Sequence, residues 1–278
     1  MRKEIRTVKY DAELKLEAYR FEGVMQEFPN HFHDYYVIGF IENGRRFLSC
    51  KSREYTIAPG DLLLFNPGDS HACAQCEGGA LDYRCVNIPR ETMRRAVFEI
   101  SGKENLPYFT EQVVFHSDLV ALLRELHLAV MEEEKEFKKE ELFFFLLEQL
   151  IEEYAEPFDR AHTSNQNEEV SAVCEFMRQN YMQNITLDDL SRIAGLSKYY
   201  LLRTFTKQQG ISPYSYLITI RVGKAKKLLE QGVSPIEAAL QAGFSDQSHF
   251  SNFFKKLIGL TPKQYMRIFD VTANDKKD

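Results

Sequence analysis

Two copies of one helix–turn–helix pattern near the end of the chain constrain its fold more than any other feature. The first, over residues 185–210, reads ITLDDLSRIAGLSKYYLLRTFTKQQG, and the second, over residues 233–259, reads VSPIEAALQAGFSDQSHFSNFFKKLIG. In each copy an apolar helix ends at a glycine that permits a left-handed turn, and a capping residue then starts another helix. The pattern predicts two pairs of short helices, at residues 186–194 and 198–209 in the first copy and at residues 235–242 and 246–257 in the second.

In the first copy, Thr186 with Asp189 and then Ser197 are placed to cap the two helices. Helical spacing directs these side chains inward: Leu190, Ile193, Ala194, Leu201, Leu202 and Phe205. These polar or amphipathic side chains of the second helix are left facing outward: Lys198, Tyr199, Arg203, Thr204 and Lys207. A basic outward face suits a helix that enters a DNA groove.

In the second copy, Ser234 and Ser245 are the expected caps and Gly243 makes the turn. The side chains expected to pack inward are Ile236, Ala239, Leu240, Ala242, Phe250, Phe253, Phe254 and Leu257. The outward set is Asp246, Gln247, Ser248, His249, Ser251 and Asn252. Amide side chains can read adenine edges, and Lys255 and Lys256 can bind phosphate.

The segment between the copies predicts one helix over residues 213–230. Eighteen residues span about 27 Å at 1.5 Å per residue, against ~34 Å between successive major-groove faces. One rigid helix can therefore present both recognition helices to neighbouring grooves. Arg221 on this helix is either a phosphate ligand or an internal salt-bridge partner, and we favour the internal role. Lys224, Lys226 and Lys227 lie on the same helix.

The charge of the chain is uneven. Residues 1–167 hold 20 Lys and Arg against 30 Asp and Glu, a balance of −10, whereas residues 168–278 hold 15 against 11, a balance of +4. A basic C-terminal part suits a phosphate-rich partner, because neutralising phosphates releases counterions.

The run from Ile185 to Met266, which includes AGLSKYYLLRTFTKQQG and GFSDQSHFSNFFKKLIGLTP, resembles the AraC/XylS family of bacterial transcription regulators. The resemblance implies double-stranded promoter DNA and RNA polymerase as partners. It places base contacts around Tyr199, Tyr200, Leu202 and Arg203 in the first unit and Gln247, Ser248, Ser251 and Asn252 in the second. Leu202 departs from the pattern, since relatives often carry a polar residue there.

In the N-terminal part the apolar residues do not follow a helical spacing. Short extended segments at residues 20–115 are separated by Asn43-Gly44, Pro59-Gly60 and similar turns, which predicts a β-barrel or sandwich. Two apolar helices follow between residues 117 and 155, either buried against the β domain or forming a dimer interface. We therefore expect an α+β, two-domain chain: a cupin-like β-barrel with a helical dimerisation segment at 1–156, a linker at 157–168, and an all-α domain with two helix–turn–helix motifs at 169–278.

The stretches HFHDYYVIGFIENG and PGDLLLFNPGDSHA resemble the two signature stretches of the cupin fold. By this resemblance His31, His33 and His71 fall where cupin enzymes place three metal ligands, while Val37 or Ile38 stands where the usual glutamate would be. The histidines are either metal ligands or hydrogen-bonded residues lining a pocket. The residues expected to bind a small effector are His31, His33, Asp34, Tyr35, Tyr36, Asn66 and His71.

Five cysteines in a chain without a secretory leader or a bilayer-spanning run indicate reduced thiols in a cytoplasmic protein with no membrane contact. Cys73 and Cys76 form a Cys-x-x-Cys pair, which we interpret as incidental, with a thiol sensor or zinc site as the alternative. The overall expectation is a homodimeric activator that senses a small molecule, with no cofactor and no enzymatic activity. A metal-dependent cupin enzyme with an added DNA-binding domain is the alternative.

Overall fold

The computed structural model describes residues 3–51, 53–133, 138–157 and 168–274. The chain forms two compact units, one comprising Met1–Glu27 and His33–Thr163 and the other Phe28–Phe32 and Ser164–Asp278. Most of the expected linker, residues 158–167, lies outside the described residues. Within the described part of the chain, every helix falls short of the length and apolarity needed to cross a bilayer.

The N-terminal strands are short, as the turn-punctuated sequence predicts. In chain order, those of the described residues are β1 (Ile5–Asp11), β2 (Leu16–Val24), β3 (Phe28–His31), β4 (Tyr36–Asn43), β5 (Arg46–Cys50), β6 (Arg53–Ile57), β7 (Leu62–Phe65), β8 (His71–Gln75), β9 (Leu81–Ile88), β10 (Pro107–Phe109), β11 (Val113–Val114) and β12 (Ala155–Pro157). They form a six-stranded sheet in the order β1-β2-β9-β4-β7-β11, a second sheet that contains β8-β5-β6, and the pair β10-β12, whereas β3 belongs to the second compact unit.

The six-stranded sheet has one face covered by helices. Side chains alternate between faces along a strand, and the apolar set Leu16, Ala18, Ile38, Phe40, Leu64 and Val86 joins one buried cluster with the helices. The covering helices are α1 (Arg90–Ser101), α2 (Leu119–Met131) and α3 (Lys138–Tyr154). Lys139 of α3 is buried in an ion pair with Asp11 of β1 at 2.6 Å. The two expected helices are therefore largely buried against the sheet.

Helix α1 corrects the expectation that residues 20–115 are extended throughout. Charged residues dominate its sequence, RETMRRAVFEIS, yet Met93, Ala96 and Val97 are spaced to form a buried stripe. It ends at Gly102, whose positive φ of 67° closes the helix. The charges obscure the stripe in the sequence.

The C-terminal unit is helical, as predicted. Its helices within the described residues are α4 (Glu168–Asn180), α5 (Leu187–Ala194), α6 (Lys198–Gln209), α7 (Pro213–Glu230), α8 (Pro235–Gln241), α9 (Gln247–Ile258) and α10 (Pro262–Asn274). Helices α6 and α7 have the predicted bounds, and α7 is 18 residues long. The predicted fold class, with a strand-rich N-terminal part and two helix–turn–helix units in an all-α C-terminal part, is confirmed.

Side-chain caps start the short helices where the sequence predicts, with one exception. Thr186 and Asp189 form a reciprocal capping box at α5, and the Ser197 and Ser234 hydroxyls accept from backbone amides at α6 and α8. At α9 the cap is Asp246 rather than Ser245: its carboxylate accepts from the His249 amide at 2.7 Å. Asp246 is therefore a capping residue and not a free member of the outward face.

Four apolar side chains expected to pack inward are instead substantially exposed. Ile193 of α5 is 40% exposed, Leu202 of α6 37%, and Ile236 and Leu240 of α8 56% and 59%. Helix α8 has only seven residues, and its buried side is made by Ala238 and Ala239. Because α8 is so short, it buries fewer apolar side chains than its apolar periodicity predicts.

Gly243 provides the most specific fold prediction. Its φ is +85°, and a Cβ there would lie 2.8 Å from the Met182 Cα and from the Tyr181 carbonyl oxygen. Gly243→Ala should therefore lower the free energy of unfolding by about 2–4 kcal/mol through left-handed strain and a backbone clash. Gly223 in α7 is the matched control, since a Cβ added there would have nothing within 4 Å and its φ is ordinary.

Gly223→Ala should raise the stability by up to about 1 kcal/mol, because alanine favours helix interiors. Urea unfolding of both variants, followed by far-ultraviolet circular dichroism, measures the difference. Equal midpoints for the two variants would contradict the role of Gly243.

Candidate nucleic-acid interface and interior site

Helix α6 presents a mixed polar and aromatic face to solvent. Leu201 and Phe205 are fully buried and fix the rotation of the helix in the core of its unit. The described side chains that this rotation leaves exposed are Lys198, Tyr200, Leu202, Arg203, Thr206 and Lys207. The side chain of Tyr199 lies outside the described residues. The structure therefore puts Leu202 on the outer face, where the family resemblance places it, rather than in the core.

Lys198 and Tyr200 contribute less hydrogen-bonding capacity to the exposed face of α6 than Arg203 does. Lys198 forms an exposed ion pair with Asp188 of α5 at 2.6 Å, so part of its charge is already balanced. Tyr200 is 54% exposed and offers an aromatic surface with a hydroxyl at its tip. Arg203 therefore carries the clearest hydrogen-bonding capacity on this helix.

Helix α9 presents the second outward face, and it is more polar. Phe250, Phe254 and Leu257 are buried, and ring contacts at 5.2 Å between Phe244 and Phe250 and at 5.4 Å between Phe250 and Phe254 anchor the helix. Gln247, Ser248 and Asn252 are exposed, Ser251 is half-buried, and Lys255 and Lys256 are exposed in the last turn. The structure therefore brings the predicted amide and lysine side chains onto one helix surface.

Helix α7 connects the two helix–turn–helix units. Arg221 on this helix is hydrogen-bonded to the segment that follows α4. Its Nε donates to the Tyr181 carbonyl and its terminal nitrogen to the Gln183 carbonyl, both at 2.8 Å. These carbonyls follow α4. Arg221 was expected to be an internal salt-bridge partner; it is held inside the unit, but the partners seen are two backbone carbonyls rather than a carboxylate.

The second candidate site is the face of the six-stranded sheet opposite to the helices. The register aligns Glu17 with Asn87 and Tyr19 with Cys85, so these side chains share one face. All four are less than 10% exposed. The Tyr19 hydroxyl donates to the Glu17 carboxylate at 3.3 Å, and burial, followed by the charge of Glu17, raises the pKa of Tyr19. These side chains therefore form a buried polar face on the N-terminal unit.

Tyr83 extends the same face, and Gly39 makes room for it. Tyr83 lies two residues before Cys85 on β9, and its ring carbons lie 2.8 Å from where a Cβ on Gly39 would be. Any side chain at position 39 would thus displace Tyr83. The need for glycine here comes from the close approach of the ring rather than from a turn.

Two of the three histidines of the sequence analysis lie side by side in the first unit: His33 and His71 have ring centroids 5.2 Å apart. His31 belongs to the segment Phe28–Phe32 of the second unit. The Nδ1 of His31 is 2.7 Å from the Pro29 carbonyl, and the Nδ1 of His71 is 3.0 Å from the Asp69 carbonyl. Burial lowers the pKa of His71 to about 4, so its imidazole is neutral at pH 7.

Aromatic stacking holds two of these rings. Phe65 stacks on His71 with ring centroids 4.1 Å apart, and Tyr35 stacks on His33 at 4.7 Å. Phe65 lies on β7 of the six-stranded sheet and pairs with Val37 of β4. Val37 pairs in turn with Asn87 of β9, so the side chains of Phe65 and Asn87 lie on the same face of the sheet. His71 therefore adjoins the polar face of that sheet.

Two other residues expected at an effector site, Tyr36 and Asn66, are held by contacts of their own within the unit. Tyr36 is buried in the cluster under the helices, where its hydroxyl donates to the Pro107 carbonyl at 2.7 Å. The Asn66 amide donates to Asp69 and to the Phe109 carbonyl, both at 2.9 Å. Asp34 is exposed. Tyr36 and Asn66 thus stabilise the unit itself.

Sequence reasoning missed Glu17, Tyr19, Tyr83 and Asn87. The signal that would have found them is the alternation in LEAYRF and LDYRCVNI, where every second residue falls on one face. The charged N-terminal sequence concealed β2, which carries Glu17 and Tyr19. LDYRCVNI was predicted to be a strand, but its residues were not divided between the two faces of the sheet.

The Cys-x-x-Cys pair is separate from the histidine group. Cys73 lies on β8 and Cys76 in the following turn, and both are free thiols. Burial raises the pKa of Cys73 to about 11, which keeps the thiol protonated and unreactive at neutral pH.

Comparison with known proteins identifies both parts of the chain. Residues 13–163 match the AraC-like ligand binding domain and residues 190–268 a helix-turn-helix domain. The chain is 57% identical over 249 residues to the HTH-type transcriptional regulator YbfI of Bacillus subtilis (strain 168), covering 90% of each. It is 25% identical to the HTH-type transcriptional activator RhaS of Pectobacterium carotovorum, covering 85% of this chain and 86% of that protein.

A solved structure has the same fold. The crystal structure of an apo variant of ToxT from Vibrio cholerae aligns with a TM-score of 0.55 at 14% identity, over 94% of this chain and 99% of that one. Unsaturated fatty acid-bound wild-type ToxT from the same species aligns with a TM-score of 0.52 at 16% identity, over 96% of this chain and 98% of that one.

A ligand-binding domain and two helix–turn–helix units in one chain define a DNA-binding transcription regulator. The chain belongs to the AraC family of transcription regulators.

Proposed function

We propose that this protein is a one-component regulator in which a small polar effector, bound by the N-terminal unit, changes the affinity of the C-terminal unit for promoter DNA. The observation that carries the proposal is the pair of recognition helices, α6 and α9, each capped at its start and each presenting polar side chains outward. Coupling requires that the effector bind two arrangements of the chain with different affinity.

The second recognition helix is the better base reader in this proposal. Gln247 and Asn252 carry amides that can pair with adenine edges, and Ser248 and Ser251 can bond to either base or phosphate. In the first helix Arg203 reads guanine, while Tyr199, Tyr200 and Leu202 make apolar or stacking contacts. Lys198, Lys207, Lys255 and Lys256 bind phosphates, which position the protein without reading sequence.

The base-reading assignment is tested by truncation. Arg203→Ala and Asn252→Ala should each weaken binding to the cognate promoter by about 1–3 kcal/mol, because each removes a base contact. Lys256→Ala should weaken binding to all sequences similarly, because it removes a phosphate contact. Mobility shifts on the DNA upstream of the protein's own gene, and on unrelated DNA, measure both quantities after footprinting has located the operator.

Arg192→Ala is the matched control. Arg192 is also an exposed cation, but it lies on α5 and is paired with Asp189 at 2.9 Å. Its truncation should leave specific binding unchanged. Wild-type affinity in both Arg203→Ala and Asn252→Ala would refute the proposed faces.

The proposed effector site lies on the polar face formed by Glu17, Tyr19, Tyr83 and Asn87, next to His33 and His71. A carboxylate, phenol hydroxyls, an amide and imidazoles supply both donors and acceptors, so this set suits a small molecule rich in hydroxyl or amino groups. The low exposure of these side chains would strengthen each hydrogen bond to the effector.

The effector site is tested by ligand-induced stabilisation. A thermal-shift screen of sugars, sugar acids and amino acids should identify a compound that raises the melting temperature of the wild-type chain. Asn87→Ala should abolish that rise, because it removes an amide from the proposed site. Asn43→Ala, which alters an exposed asparagine at the end of β4, should preserve it. A stabilising compound that acts equally on all three proteins binds elsewhere.

We also propose that the chain is a homodimer joined through α2 and α3. Most of their apolar surface is buried against the sheet, but Leu128 on α2 is 50% exposed and Phe145 on α3 is 48% exposed. Exposed large apolar side chains on neighbouring helices are typical of contact surfaces between subunits.

Dimerisation is tested by introducing charge at these positions. The double variant Leu128→Glu, Phe145→Glu should sediment as a monomer at concentrations where the wild type is dimeric, because two carboxylates would be buried in the interface. Phe98→Glu is the control, since Phe98 is 50% exposed but lies on α1. Identical sedimentation of the wild type and the double variant would remove α2 and α3 as the interface.

We further propose that the protein acts in the cytoplasm as an activator that contacts RNA polymerase. The support is its similarity to a relative named as an activator, RhaS, over 248 residues. Transcription from the footprinted promoter in a strain lacking the gene should fall for an activator and rise for a repressor.

A further inference from the structure

Arg46 places a positive charge in the interior of the N-terminal unit. It is the first residue of β5, and its exposed fraction is 0%. Alternation along this strand directs Arg46, Leu48 and Cys50 inward, whereas Phe47 is 51% exposed on the other side. Because a guanidinium stays protonated in proteins, this interior charge is permanent.

The hydrogen-bond partners of Arg46 are neutral. One terminal nitrogen donates to the Gly79 carbonyl at 3.0 Å, and the other donates to the Val24 carbonyl at 2.6 Å. The Nε is buried and has no hydrogen-bond partner among the described residues. A guanidinium has five N–H donors, so two bonds to carbonyls satisfy only part of the group. A buried charge held in this way gains strongly from an acceptor that carries the opposite charge.

The guanidinium lies at the end of the polar face that carries Tyr83. Val24, whose carbonyl accepts from Arg46, pairs with Leu81 of β9. Tyr83 lies two residues further along β9, so Leu81 and Tyr83 are on the same face of the strand. The second sheet therefore contributes a cation to the face on which the effector site is proposed.

Cys73 of β8 lies close to both groups. Burial raises the pKa of the Cys73 thiol to about 11, while the positive charge of Arg46 acts against that rise. Burial, followed by the neighbouring thiol Cys85, raises the pKa of Tyr83, and Cys73 adds to this rise. The thiol of Cys73 and the hydroxyl of Tyr83 are therefore neutral at pH 7, and the Tyr83 hydroxyl keeps its proton as a donor.

A carboxylate matches this group better than a phosphate does. It carries a single negative charge, which balances a single guanidinium, and its two oxygens can accept from Nε and from a terminal N–H together. A phosphate monoester carries about −1.5 to −2 charges at pH 7 and calls for a second cation. Lys51, which follows β5, is already paired with Asp69 at 2.8 Å.

We propose that Arg46 binds a carboxylate of the effector, with the Tyr83 hydroxyl as a second donor, so that the effector is a small organic acid. This inference rests on the effector site proposed above and specifies the chemical class of the molecule that the site takes. Hydroxyl or amino groups of the same acid bind to Glu17, Tyr19 and Asn87 further along the polar face.

Pairs of an acid and its neutral counterpart test the proposal on the full-length chain. The pairs are D-galacturonate with D-galactose, D-gluconate with D-glucitol, and acetate, the smallest carboxylate probe, with acetamide, all at constant ionic strength. The Nε–H signal of Arg46 is followed in ¹H–¹⁵N spectra and assigned by its loss in Arg46→Lys. The acids should move this signal downfield and raise the melting temperature, because a charged acceptor reaches Nε, whereas the neutral compounds should do neither.

Variants at position 46 separate binding from folding. Arg46→Lys keeps the charge but loses the planar fork, and it should weaken binding of the acids at least about tenfold. Arg46→Met removes the charge and should abolish binding. Arg45→Lys is the matched control, because Arg45 is exposed and lies one residue earlier. Circular dichroism shows whether each variant is folded, and the Nε–H signal of the wild type remains a test should Arg46→Met unfold.

Three outcomes would overturn the proposal: no acid moves the Nε–H signal, each neutral counterpart acts as strongly as its acid, or Arg46→Lys binds the acids as the wild type does. A neutral compound that stabilises the wild type and Arg46→Lys alike, but not Asn87→Ala, would retain the effector site and remove its specificity for acids. An acid that binds through Arg46 and leaves promoter affinity unchanged would retain the carboxylate site and remove its role in regulation.

Discussion

The alternation of side chains across the six-stranded sheet is the constraint on which the N-terminal unit depends. Leu16 and Ala18 face the helices, whereas Glu17 and Tyr19, which alternate with them along β2, face the opposite side. A register slip of one residue would place the Glu17 carboxylate among the leucines of α2 and α3, where an unpaired charge is strongly unfavourable. The same alternation thus secures the helices on one face and assembles the polar site on the other.

The C-terminal unit depends instead on local hydrogen bonds that end one helix and begin the next. Thr186, Ser197, Ser234 and Asp246 each satisfy backbone amides at a helix start, and glycines close the turns. These local interactions set the direction in which each recognition helix leaves its turn. Buried anchors such as Phe205 and Phe254 then fix its rotation, and rotation decides which side chains can meet DNA.

Much of this unit was predictable because the information is local. A cap, a glycine and a 3.6-residue period lie within a few residues of one another, so α6 and α7 have the predicted bounds. Errors arose where burial depends on distant neighbours. Leu202 and Leu240 fit an apolar period but are 37% and 59% exposed. The inward role of Arg221 depends on carbonyls about 40 residues away in the chain.

The sequence alone determined the two-domain organisation, the tandem helix–turn–helix units and the three histidines, since each follows from short-range patterns or a specific motif. Only the tertiary structure decided which polar residues share the interior face. Glu17 and Asn87 are 70 residues apart in the chain and meet because β2 pairs with β9 in one particular register. Such pairing joins strands that are far apart in the sequence, and several registers compete. The register that buries the apolar face of the whole sheet is selected, and no local sequence signal specifies it.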